Sequence, residues 1–149
     1  MPIAINAWMS EVISQLENVL KPGQHINYTH SGSDTVVLDP SLLRHIVQNL
    51  VSNASKFSPE DAIIEMRTTL NMQQCTLSIS DKGIGISDED QTHLFERFFR
   101  GYNAVNIQGT GLGLHIVSKY AELMNGKVSV VSALEQGTTF TVTFNIATA

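Results

Sequence analysis

The chain has 149 residues, of which 42% are hydrophobic, so it can bury one sizeable core but not the cores of two full domains. Its formal net charge of −5 offers no basic face for a phosphate backbone, which excludes nucleic acids as partners. The single cysteine, Cys75, cannot close an internal disulfide, and no run approaches the roughly 20 apolar residues that a membrane helix needs. This composition favours a cytoplasmic domain without membrane contact of its own, whether or not the full-length protein is membrane-anchored.

The first half of the chain predicts two amphipathic helices with strands between them. Apolar residues at spacings of three and four, from Trp8 to Leu20, indicate the first helix, which Lys21-Pro22-Gly23 ends. Asp39-Pro40-Ser41 begins the second and strongest helix, which carries a broad apolar face and stops near Ser58-Pro59. The intervening segment has two predicted strands joined by a loop that suits a hairpin turn, Ile26 to His30 and Thr35 to Leu38.

The second half predicts most of a sheet. Alternating apolar residues indicate strands from Ile64 to Thr68 and from Cys75 to Ile79, and the same alternation places the carboxylate of Asp81 on the core side. The elements predicted after it are a short helix from Asp88 to Phe95, a mobile polar loop from Gly101 to Gly111, a helix from Leu112 to Met124 with a left-handed stop at Asn125-Gly126, and strands from Lys127 to Ser132 and from Thr138 to Ile146. We predict an α+β fold, a two-layer sandwich in which helices cover one face of an antiparallel or mixed sheet.

A polar stripe runs along the strongest predicted helix, opposite its apolar face. Its members, His45, Asn49, Asn53 and Lys56, are three or four residues apart. Amide oxygens one turn apart are suitable ligands for Mg²⁺ or its waters, and a lysine can approach a phosphate. The spacing alone fits a solvated helix face equally well.

Two glycine-bearing segments are candidate ligand sites. In Asp81-Lys82-Gly83-Ile84-Gly85, the carboxylate could accept a hydrogen bond from an amine such as that of adenine, or it could simply cap a neighbouring amide in an ordinary turn. The segment from Gly109 to Leu114 leads into a helix whose free N–H groups could bind an anion, although a glycine-rich hinge has the same composition. Neither segment completes a P-loop or a dinucleotide-binding motif.

Taken in order, these segments resemble the histidine-kinase branch of the gyrase-like, or Bergerat-fold, ATPase superfamily. The matching boxes are the N box at residues 49–59, the first glycine box at 81–86, the phenylalanine box at 95–100, the second glycine box at 109–114, and a closing G-T-x-F element at 137–140. The resemblance spans nearly the whole chain and implies ATP and Mg²⁺ as ligands.

The resemblance also implies a role for each matching position. Asn53 binds Mg²⁺ with help from Asn49, Asp81 binds the adenine amine, and Lys56 and Arg100 approach the phosphates. The remaining implied nucleotide contacts are Gly83, Gly85 and Ile86 beside the base, Thr138 through a water, and the second glycine box over the phosphates, namely Gly109, Thr110, Gly111, Leu112, Gly113 and Leu114. Phe57 stands where many relatives have tyrosine, so its ring can pack on the nucleotide without a hydroxyl contact.

The residue at position 49 favours one reaction. Superfamily members that hydrolyse ATP have a glutamate four residues before the metal-binding asparagine, whereas this chain has Asn49, which cannot accept a proton from water. The implied catalytic residues Asn49, Lys56 and Arg100 therefore suit transfer of the γ-phosphoryl group to a histidine on a separate helical hairpin domain, with a response regulator receiver domain downstream. A free-standing Ser/Thr kinase of the anti-sigma type and a non-catalytic ATP-binding module are the alternatives.

The phosphorylated histidine is expected to lie outside this chain. In the family an acidic residue follows that histidine directly, and here the five histidines are followed by Ile, Ser, Ile, Leu and Ile, at His25, His30, His45, His93 and His115. His45 heads the polar stripe, but we interpret it as a surface or cleft-edge residue. Residues 1–149 are thus expected to form a single catalytic and ATP-binding domain that does not phosphorylate itself.

Overall fold

A computed structural model of the chain describes residues 2–91 and 113–146. Its helices are α1 (Ile5–Leu16), which a 3-10 turn (Glu17–Val19) continues, α2 (Pro40–Phe57), α3 (Asp88–Gln91) and α4 (Gly113–Leu123). Its strands are β1 (Pro2–Ala4), β2 (His25–Gly32), β3 (Thr35–Val37), β4 (Ile63–Leu70), β5 (Gln74–Asp81), β6 (Gly126–Ala133) and β7 (Gly137–Asn145).

The main sheet is mixed. Across the described ranges it has five strands in the order β2-β4-β5-β7-β6, with β2 parallel to β4 and the other neighbours antiparallel. Its core-facing residues alternate with polar ones along β4 and β5, and α2 packs on the buried face together with α4. The predicted α+β sandwich with helices on one face is confirmed.

The predicted hairpin between the first two strands is wrong. Strand β2 pairs in parallel with β4, from His25 beside Ile63 to Gly32 beside Leu70, and α2 forms part of the crossover that a parallel pair requires. Strand β3 pairs instead with β1 in a separate two-stranded sheet. Strand β2 extends along β4 into the first half of the predicted turn, as far as Gly32, and the Ser33 amide after it donates to the Leu70 carbonyl at 3.0 Å.

The core lies between the helices and one face of the main sheet. Its fully buried side chains include Phe144, Met9, Leu50, Leu77 and Ile79. Burial of each such side chain stabilises the fold by about 1.5–3 kcal/mol relative to its exposed state. Helix α1 buries Val12, Ile13 and Leu16 of the predicted apolar face together with Ile5 and Met9, whereas Val19, in the 3-10 turn after the helix, is exposed.

Helix α2 begins and ends where its flanking residues predict. The Asp39 carboxylate accepts hydrogen bonds from the amides of Ser41 at 2.9 Å and Leu42 at 3.1 Å, and Pro40 occupies the first turn. The helix ends at Phe57 because Ser58 precedes a proline and adopts an extended conformation (φ −104°, ψ 151°).

Later elements agree with their predictions as far as they are described. Asn125 has the left-handed conformation (φ 59°) expected after α4. The predicted helix from Asp88 is described only to Gln91, and the predicted loop from Gly101 to Gly111 lies outside the described residues. No helix in residues 2–91 or 113–146 has the length and hydropathy to span a bilayer.

Candidate functional site

Asp81 ends the central strand β5 with its side chain buried, as the alternation predicts. Only 6% of the residue is exposed, and the Gly83 amide donates a 2.9 Å hydrogen bond to its Oδ1. Thr138 faces Asp81 across the β5–β7 ladder. Burial raises the pKa of the Asp81 carboxyl, and backbone hydrogen bonds to Gly83 and Thr138 offset part of that rise. The structure therefore keeps an acidic group in a largely dry position, where it can bind a donor strongly.

The two glycines after Asp81 are required by the protein's own backbone. A Cβ on Gly83 would lie 1.9 Å from the Phe57 carbonyl oxygen, and a Cβ on Gly85 would lie 2.0 Å from that of Ala133. Gly85 also has a φ of +72°, which side chains rarely tolerate. These contacts explain both glycines without a ligand, so the expected approach of a flat base to this backbone stays a prediction.

The polar stripe of α2 divides into two exposed and two half-buried residues. His45 and Lys56 are exposed, whereas Asn49 and Asn53 are half-buried. The His45 ring lies edge-on to that of Tyr120 on α4, with centroids 5.6 Å apart, which agrees with its interpretation as a surface residue.

The two asparagine side chains have oxygens available for a ligand. Asn49 Nδ2 donates to the His45 carbonyl at 2.8 Å, so its Oδ1 is turned away from that carbonyl. Within residues 2–91 and 113–146, no hydrogen bond to the Asn53 side chain is found, and no cluster of three His, Cys, Asp or Glu residues could hold a metal. Amide oxygens are hard ligands that suit Mg²⁺, so this pair fits the implied cation.

The end of α2 and the turn after Asp81 are in direct contact. The Ile84 amide donates to the Phe57 carbonyl at 3.2 Å, next to the close approach of Gly83. Asn53 lies one helical turn before Phe57, and Lys56 directly precedes it. The structure thus brings together the N box and the first glycine box, which the sequence places about 25 residues apart.

Sequence reasoning missed a serine that organises the other side of this turn. Ser132 Oγ accepts a hydrogen bond from the Ile86 amide at 2.8 Å, donates to the Gly137 carbonyl at 2.8 Å and contacts Thr138 Oγ1 at 2.8 Å. Through it, β6 holds the glycine turn against the start of β7. Its place in the alternation of β6 marks it only as one polar strand residue among several.

The second glycine box is described only at its end. Gly113 is the first residue of α4, and Leu114 packs against the core. Arg100 and the residues Gly109, Thr110, Gly111 and Leu112 lie outside the described residues.

Comparisons with known proteins agree with this arrangement. The model of the family described as "Histidine kinase-, DNA gyrase B-, and HSP90-like ATPase" matches residues 38–148, more than half of the chain. The solved structure of the mycobacterial sensor histidine kinase MprB superposes with a TM-score of 0.83 at 25% identity, over 100% of both chains. Full-length ShkA in complex with AMPPNP gives a TM-score of 0.82 at 28% identity, over 100% of this chain and 32% of ShkA.

Curated relatives are histidine kinases and sensors. Histidine protein kinase SaeS of Staphylococcus aureus (strain bovine RF122 / ET3-1) is 44% identical over 107 residues, which cover 69% of this chain and 30% of SaeS. Heme sensor protein HssS of Staphylococcus saprophyticus subsp. saprophyticus is 40% identical over 103 residues, covering 69% of this chain and 22% of HssS. The chain belongs to this ATPase family and is an ATP-binding catalytic domain of the sensor histidine kinase type. It spans less than a third of the length of these two relatives.

Proposed function

We propose that this domain binds ATP with Mg²⁺ between the end of α2 and the turn after Asp81, and transfers the γ-phosphoryl group to a histidine. That histidine belongs to a separate helical hairpin domain, from which a response regulator receiver domain then takes the phosphoryl group. Residues 1–149 act as one catalytic domain in this scheme.

Adenine recognition is assigned to Asp81. Its carboxylate is buried, and the backbone around it already supplies two hydrogen bonds. An exocyclic amine that donates to this group gains a charge-assisted hydrogen bond in a place from which water is mostly excluded. Guanine has a carbonyl oxygen where adenine has its 6-amino group, and an acceptor facing the buried carboxylate would leave it without a donor at that position, which favours adenine over guanine.

Cation and phosphate binding is assigned to the last turns of α2. Asn53 and Asn49 would hold Mg²⁺ through their amide oxygens, and Lys56 is exposed and free to approach a phosphate. The bound cation would neutralise charge on the phosphate oxygens. Arg100 and the amides of the second glycine box, residues 109–113, are proposed to complete this charge compensation.

A single observation favours transfer to histidine over hydrolysis: α2 contains no aspartate or glutamate along its whole length, Pro40–Phe57. Activation of water needs a group that accepts its proton, and Asn49 is an amide that instead donates to its own helix. A neutral imidazole has a free lone pair and needs no such base. The nitrogen–phosphorus bond forms as the bond from the γ-phosphorus to the bridging oxygen breaks, and ADP leaves. The protein contributes alignment of the two partners and charge neutralisation by Lys56 and Arg100.

Phosphoryl transfer between separately expressed domains tests this proposal. The domain is mixed with γ-labelled ATP, Mg²⁺ and the hairpin domain, with a hairpin in which the histidine is replaced by glutamine as the matched control. We expect acid-labile label on the hairpin only when both its histidine and this domain are present.

Other outcomes would favour the alternatives. Acid-stable label on a serine would replace this proposal with an anti-sigma type Ser/Thr kinase. ATP binding without transfer to any hairpin would leave a non-catalytic ATP-binding module.

A further inference from the structure

The end of α2 is capped by a distant buried glutamine. The helix is followed by Ser58-Pro59 and lacks a C-terminal glycine, and two of its last carbonyls accept backbone hydrogen bonds, that of Ser55 from the Ser58 amide at 3.3 Å and that of Phe57 from the Ile84 amide at 3.2 Å. Gln24, only 5% exposed, donates through Nε2 to the carbonyls of Ser55 (3.2 Å), Ser58 (3.3 Å) and Pro59 (2.9 Å). Its Oε1 accepts from Ser55 Oγ at 2.6 Å and from the Lys21 amide at 2.9 Å.

Lys21 adds a charge to the same cap. Its Nζ donates to the carbonyls of Lys56 at 3.0 Å and Ser58 at 2.9 Å, where the negative end of the helix dipole favours a cation. Gln24 and Lys21 therefore hold the helix end that carries Asn53, Lys56 and Phe57. They do so by donating to backbone carbonyls, and not to the side chains of those three residues.

The adenine side of the site has different anchors. The turn after Asp81 is fixed by bonds to β6 and the loop that follows it, from the Ile86 amide to Ser132 Oγ at 2.8 Å and from the Glu135 amide to the Ile84 carbonyl at 2.7 Å. The base-binding half and the phosphate-binding half of the site thus have separate supports, which meet at the bond between Ile84 and Phe57.

We propose that Gln24 is a positioning residue for the nucleotide site: it sets the place of Asn53 and Lys56 relative to Asp81, and so the distance between the phosphate and base subsites. This role rests on the proposed function. It requires that loss of the Gln24 amide affects a ligand that spans both subsites more than one that fills only the base subsite.

The test compares ATP·Mg²⁺ with adenosine in wild type and Gln24→Met, which keeps the length of the side chain and removes its hydrogen bonds. Binding is followed by the NMR signal of the Gly83 amide at a temperature where every variant is folded by circular dichroism. We expect Gln24→Met to weaken ATP binding about tenfold and adenosine binding less than about twofold. Thr68→Val, which removes buried hydrogen bonds to Tyr28 and His30 in mid-sheet, is the control and should leave both affinities unchanged.

A purely structural role gives a different result. Partial unfolding reduces both affinities by the same factor, so an equal loss for ATP and adenosine, or no loss, would overturn the positioning role. Should Gln24→Met not fold, Lys21→Met removes only the two ammonium bonds at an exposed residue and is expected to weaken ATP binding about threefold with adenosine unchanged. Wild-type protein that binds neither ligand would overturn the proposed function itself, whereas normal wild-type binding with an unchanged ratio in the variants overturns only this inference.

Discussion

At the scale of single residues, the candidate site depends on a carboxylate that the fold keeps buried. Asp81 lies at the end of the central strand, with the Gly83 amide on its Oδ1 and Thr138 opposite it. An isolated buried carboxylate is costly, so its two backbone partners are what make the position tolerable without a ligand. A ligand amine then meets an acceptor that is already oriented.

Replacement of this carboxylate by an amide should weaken adenine-nucleotide binding. In Asp81→Asn, one oxygen of the acceptor becomes an NH₂ group that faces other donors, and we expect a loss of about 1–3 kcal/mol, or roughly five- to 150-fold in Kd. Calorimetric titration with ATP measures it. Asp34→Asn removes an exposed carboxylate of the same charge and should not change the affinity. Equal affinities of Asp81→Asn and wild type would refute the placement of the base.

The raised pKa of Asp81 also predicts how stability depends on pH. The unfolded chain releases this proton near the ordinary value of 3.8, whereas the folded chain holds it to higher pH. The stability linked to Asp81 is therefore fully present below the unfolded pKa and is lost as pH rises through the folded pKa. Urea unfolding of wild type and Asp81→Asn from about pH 3.5 to about pH 7 should show wild type losing stability relative to the variant as pH rises. A relative gain would contradict the burial of the charge.

The close approach of Gly83 to α2 gives a further prediction. In Gly83→Ala, the new Cβ would lie 1.9 Å from the Phe57 carbonyl oxygen, so the turn and the helix end must separate. We expect a loss of about 2 kcal/mol in the free energy of unfolding, as for an overpacked core, with weaker ATP binding. The neighbouring Lys82→Ala alters an exposed residue and should change stability by less than about 0.5 kcal/mol. Equal stabilities of the two variants would show that this contact does not constrain the turn.

At the scale of elements, helix α2 has a local cap at one end and a distant one at the other. Asp39 caps the first turn from within three residues, and Gln24 caps the last turn from 31 residues away. The candidate site lies at the end with the distant cap. Changes at the two ends should therefore separate stability from nucleotide binding.

Removal of the local Asp39 cap tests whether stability and nucleotide binding can be changed separately. Asp39→Ala removes the acceptor of two first-turn amides and should lower the free energy of unfolding by about 1 kcal/mol. Because the site is at the other end of an 18-residue helix, roughly 27 Å long, ATP affinity should not change while the protein is folded. Ser41→Ala, also exposed in the first turn, serves as the control. A matched fall in ATP affinity would mean that the two ends are coupled.

Hydrophobic periodicity in the sequence predicts a helix or strand well where one face of that element is buried against the core. The apolar period of α2 and the alternation of β5 correctly predict the helix, its polar stripe and the buried position of Asp81. Gln24 and Ser132 escaped prediction, because each acts through hydrogen bonds to backbone groups that only the folded chain brings near. No periodicity marks such a residue.

At the scale of the whole molecule, strand pairing was the feature that the sequence predicted least well. Residues 31–34 have the composition of a hairpin loop, but turn composition does not state which strands pair. The parallel partner of β2 is β4, which follows it only after α2, and β3 joins the N-terminal strand β1 that no pattern indicated. Pairings between segments far apart in sequence depend on the packing of the whole core, and so the sheet order had to come from the structure.

The strand order β2-β4-β5-β7-β6 predicts how stability is distributed across the main sheet. Strand β5 lies in the middle, paired on both sides through antiparallel ladders and buried on one face, while β2 and β6 are the outer strands among the described elements. Native-state hydrogen exchange should show the amides of Leu77 and Ile79 exchanging only through global unfolding, and the outward-facing amides of β2 and β6 exchanging through far smaller openings. Urea added below the unfolding transition provides the control, because only amides that exchange by global unfolding respond with the full m-value. Equal protection of β5 and β6 would contradict the sheet order. In the same experiment, added ATP should raise protection most at Gly83 and Ile84, where the two halves of the site meet.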